Sequence, residues 1–304
     1  MITTKLIQEI FDAVRGRFTL TEIQSLLQTD PQRLVLAIEE AATQELQSRL
    51  IPEIEMTMIA SGNYGAMVEL LPKGAFAAPY AFSLSAPFTA AYIQEYTARH
   101  IREIAQNTAT AIAQTINRNE SRSINPITTA REVRQNIGLT ARQEQAVANY
   151  RLALENGSKD ALQRQLRDAR FDSTVARAIA DDKPLPKEQI DKMVTRYRER
   201  YIKYRSEVIA RTEQLIAVSV GQRQSMLQGN ASPRLRRDWV YTHDGRERHW
   251  HATVPLLNPD GIRIDEQYLT QPPGGVEMLD MPRDPNGSAA NIIQCRCREK
   301  YRMV

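Results

Sequence analysis

The sequence predicts a mainly α protein, with an elongated helical N-terminal and middle region followed by a small C-terminal α+β domain. Three observations predict it. Apolar residues recur at helical spacing through most of the chain up to about Leu227. Beyond Asn230-Ala231-Ser232-Pro233 the content turns β-branched and aromatic at Trp239-Val240-Tyr241-Thr242 and alternating at Ile262-Arg263-Ile264. Turn clusters at Asn258-Pro259-Asp260-Gly261 and Pro272-Pro273-Gly274-Gly275 separate these short strands. The expected segments are an N-terminal helical region over 1–58, an extended loop or arm over 59–87, a helical domain over 88–182, a spine helix over 183–230 and the α+β domain over 231–304.

In chain order, Leu6, Ile7, Ile10, Phe11 and Val14 give a short amphipathic helix from Thr4 to Phe18, stopped near Gly16. Leu20 to Leu27 and Leu34 to Leu50 repeat the pattern, with Asp30-Pro31 starting the third helix and Pro52 closing it. The stretch Ile59 to Pro87 is punctuated by Gly62, Gly65, Pro72, Gly74 and Pro79. It reads as an extended loop, either an irregular cover on its own domain or an arm facing a partner. Ser85 and Pro87 start a helix to Asn117; His100 beside its apolar stripe carries no chemical role.

Asn125-Pro126 opens the next helix, Gly138 turns the chain, and Thr140 with Gln143 caps another. Helix, glycine turn and helix could be a DNA-reading motif or two ordinary packed helices. A helix over Asp160 to Ala180 and a linker over Asp181 to Pro186 follow. Lys187 to Leu227 then has no proline and one glycine, so a long helix is expected, bent near Gly221. Tyr197, Tyr201 and Tyr204 share one face of it, with Arg196, Arg198, Arg200, Lys203 and Arg205 on the others. From Lys187 to Arg211 eight basic residues stand against four acidic. Arg196, Arg200 and Lys203 are the candidate contacts to a phosphate backbone, against a buried tyrosine stripe with solvated arginines.

The chain of 304 residues has room for about two domains. Its formal charge of +4 makes any polyanion contact local. Met1 to Phe18 is too charged for a signal peptide and no apolar run is long enough to span a bilayer, so a protein made in the cytoplasm with no membrane partner is expected. Cys295 and Cys297, one residue apart, read as reduced thiols or metal ligands.

The stretch Trp239 to His251 concentrates both tryptophans and three of the four histidines. In a strand His249 and His251 share a face, as do Cys295 and Cys297, and the two pairs could close a tetrahedral zinc site. The spacing is not the usual zinc knuckle, and Arg246, Arg248, Arg296 and Arg298 flank both pairs. A metal-dependent nuclease with His251 as base and Asp244 or Asp284 on the ion is another reading. The favoured physical reading is a buried, mutually hydrogen-bonded cluster of Asp244, Arg246, Arg248 and His251, with the tryptophans as its apolar body. Neither a Gly-x-Ser-x-Gly elbow nor a Walker loop occurs.

Taken together, these residues resemble the Mu F-like phage head morphogenesis proteins, the minor head proteins of tailed bacteriophages. Four pieces match in order: Ile209-Ala210-Arg211-Thr212-Glu213; Trp239 with Asp244, Arg246, Arg248 and His251; Pro282, Asp284 and Pro285; and Asn291 to Cys297. Ile137-Gly138-Leu139-Thr140 with Gln143, Ala146 and Tyr150 is similar to the preceding helical region, so the resemblance runs from about Ser85 onward. Arg283 stands where the family turn has glycine, Gln294 where asparagine is usual, and the glycine after the histidine is missing.

The resemblance implies a virion protein, present in few copies inside the head near the portal and made in the host cytoplasm. It would act in head assembly and in genome packaging or ejection. Its partners would be the portal protein, further the major capsid or scaffold protein, and packaged DNA held non-specifically. It implies no enzyme activity and no cofactor. The rival expectation is a zinc-dependent DNA-processing enzyme or nuclease packaged in the virion, built on His249, His251, Cys295 and Cys297.

Overall fold

The computed structural model describes the backbone of residues 1–304 and every side chain except that of Phe88. The chain is mainly α with a few short antiparallel strands near its C-terminal end. It divides into two compact units, residues 4–49 with 99–207, and residues 1–3 with 50–98 and 208–304. The boundary expected at 58 falls inside a continuous helix, the one at 230 follows the end of a helix, and neither separates compact units. The short strands cannot bury a core alone: Leu235 and Tyr301 are packed with Met67, Ala75 and Met226 from helical and irregular segments.

In the first unit, α1 (Thr4–Gly16) buries Ile7, Ile10, Phe11 and Val14, the stripe its spacing predicts. Thr19 and Glu22 form a capping box that starts α2 (Leu20–Thr29). Helix α3 (Pro31–Gly62) begins at Pro31 as expected but runs through Pro52. Pro52 is exposed, so the hydrogen bond it removes is lost on the wet side, while Ile54 and Met58 continue the buried face.

Helix α4 (Tyr64–Leu70) is followed by an irregular stretch and then by α5 (Pro87–Ser121). In the first unit α6 (Pro126–Asn136) is capped by Asn125, and α7 (Ala141–Glu155) by the expected Thr140–Gln143 box. Between them Gly138 has φ +97, and a Cβ there would sit 3.0 Å from the Phe11 ring. That helix-turn-helix is held by packing, with Glu144 of α7 buried and paired to Arg118.

The helix expected over 160–180 is mostly absent. Two 3-10 turns, Lys159–Gln163 and Ala169–Phe171, precede α8 (Asp172–Ala180). Asp168 and Asp172 explain this: Asp168 accepts the Arg170 N–H at 3.2 Å, and Arg167 forks onto Asp172 at 2.9 and 2.8 Å, local bonds that compete with a helix.

Helix α9 (Lys187–Gln228) is the long spine expected. Tyr197 is buried against Tyr150, ring centroids 4.4 Å apart, while Tyr204 is exposed. Arg198 and Arg205, expected on outer faces, are instead buried. Arg198 donates to Asn136 and Gln135, each at 2.7 Å. Arg205 donates to Thr108 and the Ile104 carbonyl and lies 5.2 Å over the Phe11 ring.

In the second unit, β1 (Leu235–Val240) pairs antiparallel with β4 (Arg298–Met303), Arg237 opposite Tyr301. The expected strand at 262–264 is reduced to a single bridge from Ile262 to Arg237. Helix α10 (His249–Leu257), β2 (Tyr268–Thr270), β3 (Glu277–Leu279) and α11 (Ala289–Ile292) complete the set. The expected arm over 59–87 is partly helical, since 59–62 finish α3 and 64–70 form α4. Its irregular part lies on its own unit. Tyr80 bonds Ser225, Gln228 bonds both backbone groups of Ser83, and Ser232 bonds the Ala75 carbonyl.

Gly221 answers to a constraint other than the expected bend. A Cβ at that position would stand 2.5 Å from the Met58 carbonyl oxygen and 2.2 Å from Ser61 Oγ, so α3 and α9 meet backbone to backbone there. Gly221→Ala is therefore expected to destabilise by about 1–3 kcal/mol, the cost of overpacking a close contact. Gly16→Ala, which meets nothing within 4 Å, serves as its control. Urea denaturation followed by circular dichroism decides it, and a Gly221→Ala midpoint equal to that of the unmodified chain would refute the close-approach account.

Candidate functional site

Strand β1 buries alternate residues, Leu235, Arg237 and Trp239, and the central one is charged. Arg237 is fully buried. Its guanidinium donates to Glu299 at 2.8 Å and to the carbonyls of Asp280, Arg263 and Glu266 at 2.7, 2.9 and 2.9 Å, and it lies 5.5 Å over the Tyr268 ring. Those bonds bring three chain segments, 263–266, 280 and 299, to the back of β1. Two residues along the same face, Trp239 joins a core with Val254, Ile262, Tyr268, Leu279, Cys295 and Cys297.

The site forms on that core. Trp239 meets the His251 ring edge to face, centroids 5.4 Å apart. Cys295 and Cys297 share one face of the extended chain entering β4, as period two predicts. Their Sγ atoms lie 3.6 and 3.3 Å from His251 Nδ1. All three residues are buried. His251 is fixed from its other side: Nε2 lies 2.9 Å from Asn291 Oδ1, which also accepts the Trp250 indole N–H at 3.0 Å. The Asn291 amide donates in turn to Glu277 on β3 at 2.8 Å and to Thr270 on β2 at 3.3 Å. This chain assigns the proton to Nε2 and leaves the Nδ1 lone pair facing the two sulfurs. The Cys297 S–H beside it holds the Cys295 thiol well below its ordinary range. Cys297 is pushed up, because it keeps the shared proton.

Of the four expected zinc ligands, then, three converge and His249 does not. The Asp244-Gly245 turn, with Gly245 at φ +73, ends the extended run, and both histidines fall on α10. Two residues apart on a helix they point in roughly opposite directions, and His249 is exposed. Neither carboxylate of the nuclease reading joins His251: among the described residues the group that could hold a metal is His251, Cys295 and Cys297. Asp284 is buried as a turn brace, accepting the N–H groups of Asp280 at 2.7 Å and Asn286 at 2.9 Å, and burial pushes its carboxyl up.

The expected buried cluster of Asp244, Arg246, Arg248 and His251 is also corrected. Asp244 and Arg246 are at the surface, where Asp244 pairs with Arg296, and Arg248 donates to the Ile293 carbonyl. Charges on so short a loop stay wet; the buried polar work falls to other residues. Arg283 donates to the carbonyls of Cys295, Cys297 and Leu215 and to Ser219 Oγ at 2.6 Å. Thr212 accepts the Gln294 N–H at 3.3 Å. His251, Cys295 and Cys297 line a cavity of about 250 Å³ whose wall carries Arg211, Arg246, Arg248 and Arg296.

Elsewhere, the candidate phosphate contacts on α9 are mostly engaged. Arg196 pairs with Glu199 at 2.8 Å, and Arg200 bonds the Arg167 carbonyl and Asp168. Arg170 and Arg200 hold the Asp168 carboxyl down to about 2. Lys203 is exposed. Among the described residues no helix is long and apolar enough to cross a membrane. Comparison with protein-family models, curated proteins and solved structures finds no match.

The fork geometry at Arg237 makes lysine a poor substitute. Arg237→Lys is expected to cost about 1.5–3 kcal/mol, the worth of a lost charge-assisted hydrogen bond. Arg237→Met, which strands Glu299, should cost about 3–5 kcal/mol. Chemical denaturation beside Arg236→Lys checks both, and a lysine variant as stable as the unmodified chain would remove the fork from the account.

Proposed function

We propose that this chain is a minor head protein of the Mu F-like type, acting in the head interior near the portal vertex of a tailed bacteriophage, in head assembly and in genome packaging or ejection. One observation carries the reading. The signature pieces, spread from Arg211 to Cys297, gather at one site: Arg211 on its cavity wall, Thr212 bonded to Gln294, Trp239 on His251, His251 on both cysteines, and Asp244 on Arg296.

Two of the three departures from the family pattern fit as well. Arg283 and Gln294, standing where the family has glycine and asparagine, have φ of +66 and +55. That is the left-handed region which glycine and asparagine favour. Both positions here take a backbone of the kind those residues favour, with other side chains.

Docking on the portal protein, and further on the major capsid or scaffold protein, needs exposed apolar surface. The irregular stretch after α4 is committed to its own unit. Met56 and Ile59 on α3 and Val68 and Leu70 on α4 are exposed and take its place in the proposal. Co-expression with the portal protein and sizing chromatography at micromolar concentration should give one shared peak. Ile59→Asp with Val68→Asp should weaken it at least about tenfold, a loss of some 1.4 kcal/mol. Two independent peaks from the unmodified chain would refute docking.

Contact with packaged DNA is a separable part of the proposal. It should be non-specific, and its dependence on salt should flatten when Arg196, Arg200 and Lys203 are changed to glutamate. Unchanged affinity and salt slope in that variant would leave α9 as a spine only. For the zinc-dependent nuclease alternative, neither Asp244 nor Asp284 joins His251; Glu247 lines the same cavity but stands outside the His251, Cys295 and Cys297 group, so a metal there would not by itself imply hydrolysis.

A further inference from the structure

We infer that His251 Nδ1, Cys295 Sγ and Cys297 Sγ form a three-ligand site for a zinc ion, with its fourth coordination position open to the arginine-walled cavity and taken by water or a small anion. The inference is independent of the proposed function, since a structural zinc and a portal interface can each exist without the other.

The distances fit. Zinc lies about 2.3 Å from thiolate sulfur and about 2.0–2.1 Å from imidazole nitrogen, so a tetrahedral angle sets the sulfur–nitrogen edge at about 3.6 Å. The edges here are 3.6 and 3.3 Å, and all three ligand atoms lie within 4.8 Å of one another.

The imidazole is also prepared for this role. The relay from Glu277 through Asn291 to His251 Nε2 sets the tautomer in which Nδ1 is a ligand, the outer-shell arrangement metal-bound histidines usually have. Without a metal, one Nδ1 lone pair faces two sulfur atoms and can accept at most one S–H. A zinc ion satisfies all three atoms at once.

Charge does not oppose it. Two thiolates neutralise the dication, and of the arginines on the cavity wall Arg296 is occupied by Asp244 and Arg248 by the Ile293 carbonyl. Soft sulfur with imidazole selects zinc over the hard divalent cations.

The test uses the full chain without a histidine tag, made in zinc-supplemented culture and purified under reductant. Elemental analysis should find stoichiometric zinc. Cobalt(II) in its place should give the visible absorption of a tetrahedral thiolate site. Cys295→Ser and Cys297→Ser should each lose the metal, His249→Gln should keep it, and Asn291→Ala should weaken zinc about 10–100-fold in competition with a chromogenic chelator. Should the cysteine variants fail to fold, the unmodified chain still decides. A chelator should lower its thermal midpoint and added zinc should restore it. Trace zinc with no uptake by the reduced protein, full zinc in both serine variants, or stoichiometric iron in place of zinc would each overturn the assignment.

Discussion

The interaction on which the unit holding the candidate site depends is the burial of one arginine. Arg237 gives its fork to Glu299 and to carbonyls at 263, 266 and 280, segments that carry no regular hydrogen-bond ladder of their own there. Two short two-stranded sheets would be marginal alone. A desolvated guanidinium with its donors satisfied replaces the missing ladder, and the ion pair matters for the geometry it imposes more than for net stability.

From that anchor the site follows by strand geometry. Trp239 lies on the same face as Arg237, and its indole supports His251. The extended chain entering β4 supplies both cysteines, and that strand is itself paired to β1. The polar relay from β3 through Asn291 closes the far side of the imidazole. His251 is therefore held by Trp239 on one side and Asn291 on the other, which is what a preformed ligand set needs.

What could be read in the sequence was what is local. The Thr140–Gln143 cap, the start at Pro31, the long α9 and the shared face of Cys295 and Cys297 are each set by a few neighbouring residues. What could not be read is decided at a distance. Pro52 stops a helix unless its open side is wet. Arg198, Arg205 and Arg237 look like surface charges until acceptors far along the chain close on them. The misplacement of His249 had a local remedy, because Asp244-Gly245 is itself a turn signal that should have ended the strand pattern.

The interleaving of the two units bears on how the protein is made. Met67 and Ala75 share a core with Leu235 and Tyr301. At about 5–20 residues per second, the roughly 200 residues between the end of the 50–98 segment and β4 take on the order of 10–40 s to synthesise. During that interval Met67 and Ala75 lack the Tyr301 side of the core they share. Nascent-chain protection would matter more here than for a protein whose units are contiguous, and residues 231–304 cut out alone would lack Met67, Ala75 and Met226, on which Leu235 and Tyr301 pack.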